Sequence, residues 1–219
     1  NIYGIYTKMH KMDSLQVPLK NALIFLCMDK TFGFTSDRTD SYLYRKHPYF
    51  VNSAEFDFHK LMLSTYLNLP FCLRYVYWKS THSYSPFLEG YILQHTSTID
   101  SNTNQVSRQY YENLIHSDSM KYYQSDSPFW KGGTKIKFNK SPVIHHRSKE
   151  MLEHIAAILK SHHTNYKIIL SPIYGGQKIN ADDLHYLESI FSEVYDFTGD
   201  HVLSQNPGYY YDMVHPRRM

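Results

Sequence analysis

Two kinds of hydrophobic pattern alternate along the C-terminal third of the chain. Residues 148–163 place apolar side chains every three to four positions, and residues 180–193 do the same behind Asn180, a residue suited to capping a helix. Both patterns predict amphipathic helices. The apolar run at 166–174 follows the first helix and predicts a buried strand, and residues 194–198 follow the second helix and predict a short strand. A helix, strand, helix, strand order with short connections is typical of right-handed crossovers in a parallel sheet, so the predicted fold class is α/β.

The N-terminal part of the chain repeats this alternation. Residues 2–12 have apolar side chains at helical spacing with lysines between them, which predicts an amphipathic helix. After Pro18, the stretch "NALIFLCMD" (21–29) contains six consecutive apolar residues, which suits a strand covered on both faces in a parallel sheet. Asp29 ends this stretch, at the edge where α/β proteins hold ligands. It is either a residue close to a site or a structural cap on the loop that follows.

The middle of the chain is harder to interpret. Residues 53–68 predict a helix with Ser53 as its N-cap. Residues 70–145 are rich in aromatic and small polar residues and show no sustained period. We interpret them as helices and loops inserted over the sheet of a single domain, residues 1–219. Trp130, in the stretch "SPFW", packs in the core of this insertion or covers a substrate groove, and core packing is favoured.

Composition excludes several classes of protein. Hydrophobic residues make up 42% of the chain and charged residues 20%, which argues against disorder. The 23 lysines and arginines are interspersed with 20 aspartates and glutamates, so we expect no nucleic-acid partner. No run approaches the roughly 18 apolar residues of a membrane-spanning helix. The 21 tyrosines indicate an aromatic core with polar edges rather than a surface for stacking sugars or bases.

Neither a metal nor a cofactor is predicted. The pairs His145–His146 and His162–His163 lack the further ligands that zinc needs, and solvated helix ends explain them better. The stretches "KGGTK" and "YGGQK" lack the spacing of a phosphate-binding loop, and we interpret both as turns.

The two cysteines do not identify a cellular compartment. Cys27 lies in an apolar run, where a buried free thiol is the default interpretation. A disulfide between Cys27 and Cys72 stays an alternative, because sequence alone does not decide the pairing.

The candidate chemistry lies at the end of the chain, in "GYYYDMVHPRRM" (208–219). Asp212 precedes His215 by three residues. On a loop, this spacing lets the carboxylate reach one ring nitrogen and leaves the other nitrogen to take a proton from a nucleophile. The segment follows the last predicted strand, so it can lie at the carboxyl edge of the sheet. The same spacing at Asp182 and His185 falls inside an amphipathic helix and predicts no site.

From "NYKIIL" to the His-Pro of the last segment, the chain resembles the C-terminal half of the SGNH (GDSL-type) hydrolases. In that family a strand, a helix and a short strand lead to a loop that carries a catalytic D-x-x-H. The sequence is most similar to extracytoplasmic members that act on cell-envelope polymers, such as D-alanyl transfer protein-like enzymes. The resemblance covers residues 148–216 well and 1–29 moderately, and it does not extend to 70–145.

This resemblance implies a structure and an activity. The fold would be a three-layer α/β/α, flavodoxin-like arrangement with a parallel sheet. Asp212 and His215 would be the acid–base part of a Ser-His-Asp triad in an esterase or O-acyltransferase. The substrate would be an acylated saccharide or envelope polymer. The family also implies an extracytoplasmic location, periplasmic or membrane-anchored, although a cytoplasmic location stays open.

The sequence departs from this family at the nucleophile. The family's serine follows the first strand in a G-D-S or G-S-S turn, ahead of glycine and asparagine oxyanion donors, and neither turn occurs here. The stretch "MDSL" has similar letters, but Ser14 ends a lysine-bearing helix and no buried strand precedes it. We therefore expect the serine, its strand, the first oxyanion donor and any membrane anchor to lie upstream of Asn1. The fold in this chain would then be incomplete at its N-terminus.

Two other functions stay open as alternatives. A chain that keeps the sheet without the serine would be a non-catalytic binding or assembly module in an envelope polysaccharide pathway. A buried strand ending in G-x-S upstream of Asn1 would favour the enzyme over this module. A flavodoxin-like nucleotide-binding sheet is disfavoured, because no glycine-rich phosphate turn follows a predicted strand.

Overall fold

The structure, a computed structural model, divides into two compact units. The first contains Asn1–Arg38 and Met120–Met219, and the second contains Thr39–Ser119. The predicted insertion, residues 70–145, overlaps the second unit and continues into the first. The structure describes residues 1–27, 31–32, 48–51, 55–89, 91, 98–99, 106–124, 129, 141–200, 202–213 and 215–217.

The described residues form a mixed α/β protein in which helices outnumber strands. The helices are α1 (Ile2–Ser14), α2 (Pro48–Val51), α3 (Glu55–Tyr66), α4 (Leu69–Thr81), α5 (Gln109–Ser117), α6 (Ser119–Tyr123), α7 (His146–Ser161), α8 (Ala181–Ile190) and α9 (Val202–Gln205). The strands are β1 (Asn21–Leu26), β2 (Thr98–Ile99), β3 (Val106–Ser107), β4 (Asn165–Leu170) and β5 (Val194–Asp196). The predicted helices and strands of the N- and C-terminal thirds are therefore all present.

Three strands of the first unit form a parallel sheet in the order β1-β4-β5. Asn21 of β1 lies opposite Asn165 of β4, and Ile168 of β4 lies opposite Val194 of β5. The parallel sheet predicted from the alternation of helices and strands is confirmed. In the second unit, β2 and β3 pair as a short antiparallel ladder.

One face of the parallel sheet carries the core of the first unit. Its buried strand residues join one hydrophobic cluster with the apolar stripes of α1, α7 and α8. The strand residues are Ile24, Leu26, Ile168 and Leu170, and the helix residues include Ile2, Met9, Leu152, Ile155, Ile158, Leu159 and Leu187. The spacing of three to four residues in the sequence therefore marks the faces that the helices bury.

The other face of β1 is exposed. Leu23 and Phe25 are 57% and 56% exposed, whereas the alternating residues Ile24 and Leu26 are buried. The prediction that β1 is covered on both faces is wrong. Successive side chains of a strand point to opposite faces, and both faces of β1 carry apolar residues. Hydrophobicity alone therefore could not show which face is covered.

Asp183 connects α8 to the segment that precedes α7. As predicted, the side chain of Asn180 caps α8 and accepts hydrogen bonds from the backbone N–H of Asp182 at 2.9 Å and Asp183 at 3.4 Å. The Asp183 side chain is buried and accepts from Val143 N–H at 2.7 Å and Ile144 N–H at 3.2 Å. Two backbone donors near the start of α7 are therefore satisfied by a carboxylate on α8.

The second unit contains the predicted helix of residues 53–68, observed as α3. The proposed N-cap, Ser53, lies outside the described residues. The following helix, α4, is capped by Asn68, whose side chain accepts from Phe71 N–H at 2.8 Å. Arg74 of α4 donates to Phe87 O at 2.8 Å, and its guanidinium lies 4.1 Å from the ring centre of Tyr91. Polar and cation–π contacts thus connect α4 to the turn after it.

Candidate functional site

Asp212 and His215 are in direct contact. His215 Nδ1 lies 2.8 Å from both carboxylate oxygens of Asp212. The backbone N–H of His215 also donates to Asp212 Oδ1 at 2.9 Å. The Asp212 side chain is 9% exposed, and the His215 side chain is 51% exposed. A buried carboxylate thus holds the backbone and one ring nitrogen of a half-exposed histidine.

Backbone pairing closes the loop around this pair. Tyr210 and Pro216 form an antiparallel bridge. Inside the bridge, Tyr211 N–H donates to His215 O at 2.9 Å. Asp212 and His215 therefore lie on a short closed turn, and the turn fixes the distance between their backbones.

This turn lies at the carboxyl edge of the parallel sheet. Tyr174, in the segment after β4, donates its N–H to Met213 O at 3.2 Å. The next residue, Gly175, donates its N–H to Ser204 O at 3.0 Å. The structure therefore places Asp212 and His215 beside the loop that leaves β4, the edge at which open α/β sheets bind ligands.

Two glycines shape the loop after β4. Gly175 and Gly176 have φ values of +90° and +71°, in the left-handed region that favours glycine. A Cβ atom on Gly176 would lie 2.0 Å from Asp200 Oδ1, so a larger residue there would displace the Asp200 side chain in addition to straining the backbone. The turn predicted from "YGGQK" is confirmed, and it follows directly after the residue that contacts Met213.

The outer nitrogen of His215 has no partner in the described part of the chain. Both contacts of its ring are made by Nδ1 with Asp212. When Nδ1 carries the proton and donates it to the carboxylate, Nε2 of the neutral ring has a free lone pair. The arrangement can therefore take a proton at Nε2 and stabilise the resulting imidazolium with the Asp212 charge.

Ser14 lies at the opposite edge of the sheet. Its Oγ donates to Lys11 O at 2.8 Å at the exposed end of α1. The adjacent Asp13 Oδ1 lies 2.9 Å from Nε2 of His162, just before β4 begins. The six residues of β4 span roughly 20 Å between the two edges. Ser14 is therefore too far from His215 to serve as its nucleophile.

Asp29 lies outside the described residues, so both of its predicted roles stay predictions. Near it, the Thr31 hydroxyl accepts from Cys27 N–H at 2.7 Å, and Thr31 N–H donates to Cys27 O at 2.8 Å. These two bonds connect the residue that follows β1 to the residue four positions further along the chain. Cys27 and Cys72 do not form a disulfide with each other, and Cys27 is only partly buried. Trp130 and the "KGGTK" turn also lie outside the described residues.

The predicted histidine pairs make surface contacts. His146 Nε2 lies 3.3 Å from Glu150 Oε1 on an exposed side of α7. His162, at the other end of α7, contacts Asp13 of α1. Among the residues that the structure describes, no three histidine, cysteine, aspartate or glutamate side chains converge as a metal site requires.

A surface groove of about 840 Å³ lies between α7 and α8. Its lining includes His163 and Thr164, which precede β4, and Phe191, which follows α8. The groove is therefore at the amino end of β4, away from Asp212 and His215.

A second charged cluster lies at the end of β5. Thr198 donates to Asp196 Oδ1 from its N–H at 2.8 Å and from its hydroxyl at 2.5 Å. The Lys178 ammonium pairs with Asp196 Oδ2. Burial by itself raises the pKa of Asp196, but the bonds from Lys178 and Thr198 together hold this pKa below its ordinary value.

Asp196→Asn is expected to weaken the dependence of stability on acid pH. A carboxyl group whose pKa is lowered by folding stabilises the protein above its unfolded pKa of about 4, and it loses this contribution as the pH falls through the folded pKa. The wild type should therefore lose more unfolding free energy than the variant between about pH 5 and pH 2. The difference should be below about 1 kcal/mol, because the Lys178 side chain is 59% exposed. Urea unfolding across this range measures it, and equal losses in both proteins would contradict the assignment.

Two tyrosines of α6 bind the backbone that leads into Asp212. The Tyr122 hydroxyl donates to Tyr211 O at 2.6 Å, and the Tyr123 hydroxyl donates to Tyr210 O at 3.2 Å. No pattern in the sequence predicts a role for either tyrosine. Both belong to the segment without a period, and 89 positions separate Tyr122 from its partner. No local signal marks such a contact.

No helix among the described residues is both long enough and apolar enough to cross a membrane. The chain matches no protein-family model and no curated protein.

Proposed function

We propose that this chain supplies the acid–base part of an SGNH-type serine esterase or O-acyltransferase. The observation that carries the proposal is the buried Asp212 carboxylate, 2.8 Å from Nδ1 of a half-exposed His215. The parallel β1-β4-β5 sheet and the position of the pair at its carboxyl edge support it. The three-layer fold of that family and an extracytoplasmic location are parts of the same proposal.

His215 is the general base of the proposed reaction. A serine hydroxyl gives its proton to Nε2 while the serine oxygen forms a bond to the acyl carbon. Asp212 stabilises the imidazolium. Nε2 then gives the proton to the departing alcohol oxygen as the ester C–O bond breaks, which leaves an acyl-serine. Water or an acceptor hydroxyl attacks in the same way and returns the proton to the serine. Water gives hydrolysis, and the acceptor gives transfer.

The proposed substrate is an acylated saccharide or a cell-envelope polymer. This choice comes from the family that the sequence resembles. His215 is half exposed, so its Nε2 side is open to a large substrate at the edge of the sheet. No serine among the described residues hydrogen-bonds to His215, and the proposal expects the nucleophile outside these residues.

A fluorophosphonate probe tests this proposal on the full-length protein. An activated serine attacks the phosphorus, displaces fluoride and keeps a covalent label. We expect one labelled serine, identified by mass spectrometry of the digested protein. Heat-denatured protein is the matched control and should carry no label. Native protein without a labelled serine would contradict the enzyme assignment.

The lack of a serine partner for His215 within the described residues favours a second candidate. In this alternative, the chain is a non-catalytic binding or assembly module of an envelope polysaccharide pathway. Full-length protein that binds an O-acetylated polysaccharide, but takes no fluorophosphonate label, would support this module and exclude the esterase.

A further inference from the structure

The Tyr122 hydroxyl of α6, a helix far from Asp212 in the sequence, bonds to the backbone that leads into Asp212. The Tyr122 side chain is buried, and its hydroxyl donates to Tyr211 O at 2.6 Å. This carbonyl belongs to the peptide that joins Tyr211 to Asp212. The N–H of Tyr211, which belongs to the preceding peptide, donates to His215 O at 2.9 Å. Both peptide groups of Tyr211 are therefore bonded, and together they orient the backbone from which the Asp212 side chain extends.

Tyr123 adds a second and longer contact to the same loop. Its hydroxyl donates to Tyr210 O at 3.2 Å. Arg217, which follows the pair, donates from Nη1 to the Tyr123 hydroxyl at 3.4 Å and to Gly208 O at 3.0 Å. The chain before Asp212 and the chain after His215 are thus connected to each other and to α6.

Aromatic packing fixes α6 beside this loop. The ring of Tyr123 packs edge-to-face on Phe129 with centres 5.2 Å apart, and Phe129 packs in the same way on Tyr174, also at 5.2 Å. Tyr174 packs in turn on Tyr210, with centres 6.0 Å apart, and donates its N–H to Met213 O. A ring cluster of this kind holds its members in defined orientations. The hydroxyls of α6 are therefore presented from a rigid base.

We infer that Tyr122 is a positioning residue for the Asp212–His215 pair and that Tyr123 assists it more weakly. The inference rests on the proposed function for its effect on catalysis. The Tyr122 hydroxyl sets the angle of the peptide entering Asp212, and this peptide sets where the carboxylate meets Nδ1 of His215. Without the hydroxyl, Tyr211 O loses this buried hydrogen bond, and the peptide that enters Asp212 shifts.

Tyr210 provides a matched control in the same cluster. Its side chain is 1% exposed, yet no hydrogen bond to its hydroxyl is present in the described residues. Burial raises the pKa of this hydroxyl to about 12. Tyr210→Phe therefore removes a hydroxyl that makes no hydrogen bond to the described residues, whereas Tyr122→Phe removes one that holds the loop. The two substitutions are chemically identical.

The test measures which nitrogen of His215 carries the proton. Full-length protein with isotope-labelled histidine is studied by proton–nitrogen correlation spectra of the imidazole rings at alkaline pH, where histidine side chains in general are neutral. We expect the Nδ1–H form in the wild type, because Asp212 accepts that proton. Tyr122→Phe should shift His215 toward the Nε2–H form, Tyr123→Phe should shift it less, and Tyr210→Phe should leave it unchanged. The kcat of ester hydrolysis should fall by roughly 10²-fold in Tyr122→Phe with little change in KM, since a displacement near 1 Å has effects of this size.

Three outcomes would overturn the inference. One is a folded Tyr122→Phe variant with the wild-type spectrum of His215. A second is an equal shift in Tyr210→Phe, which would show a nonspecific response of the cluster. If Tyr122→Phe does not fold, Tyr123→Phe carries the test, and an unchanged spectrum there is the third. The spectra do not depend on turnover. Wild-type protein with the Nδ1–H form but no activated serine would therefore contradict the proposed function and leave the positioning role intact.

Discussion

Asp212→Asn is expected to lower ester hydrolysis by the full-length protein by roughly 10⁴-fold. The amide oxygen can still accept from His215 N–H, as Asp212 Oδ1 does at 2.9 Å, so the turn keeps its shape. The amide nitrogen then faces Nδ1 and can only donate to it. The ring proton moves to Nε2, which can no longer accept a proton from the nucleophile. Turnover of p-nitrophenyl acetate measures the effect.

Asp182→Asn is the matched control for this substitution. Asp182 precedes His185 by the same three residues, and both side chains are exposed on α8. No hydrogen bond or ion pair joins these two residues. Turnover by Asp182→Asn should equal that of the wild type. Near-wild-type turnover by Asp212→Asn would mean that the carboxylate does not set the proton position on His215.

Asp183→Ala is expected to lower the free energy of unfolding by about 3 kcal/mol. The Asp183 side chain is 2% exposed and accepts from the N–H groups of Val143 and Ile144. Its removal leaves two backbone donors without a partner and a small void beside the start of α7. Asp183→Asn should have a smaller effect, because its amide oxygen can still accept one of the two bonds. Urea unfolding followed by circular dichroism measures all three proteins.

Asp182→Ala is the control for the stability measurement as well. Asp182 is exposed in the first turn of α8, where a carboxylate contributes below about 1 kcal/mol through the helix dipole. Asp183→Ala should therefore be clearly less stable than Asp182→Ala. Equal losses would show that the Asp183 carboxylate does not hold the segment before α7.

The sequence predicts those helices and strands whose hydrophobic pattern lies within the element itself. α7 and α8 are predictable because their apolar residues repeat at helical spacing. The strand predicted over 166–174 is present but ends at Leu170, because the chain turns through Pro172 and the glycines that follow. The contact of Asp212 with His215 is also local, since three residues separate them on a closed turn.

Contacts between distant segments leave no such signal. Asp183 is well explained by its place in the first turn of a helix, so nothing in the sequence points to its bonds with Val143 and Ile144, about 40 positions away. The Tyr122 hydroxyl reaches Tyr211 across 89 positions from a segment without a period. The sequence also does not show that one face of β1 is exposed, because apolar residues occupy both faces of this strand.

If His215 is the base of an ester-cleaving site, the turnover of His215→Ala in the full-length protein must show it. Hydrolysis of p-nitrophenyl acetate should fall by roughly 10⁴-fold or more, because the substitution removes the imidazole nitrogen that takes the serine proton. His185→Ala, the histidine of the other D-x-x-H pair, should retain wild-type turnover. If His215→Ala also hydrolyses the ester at the wild-type rate, His215 is not the base.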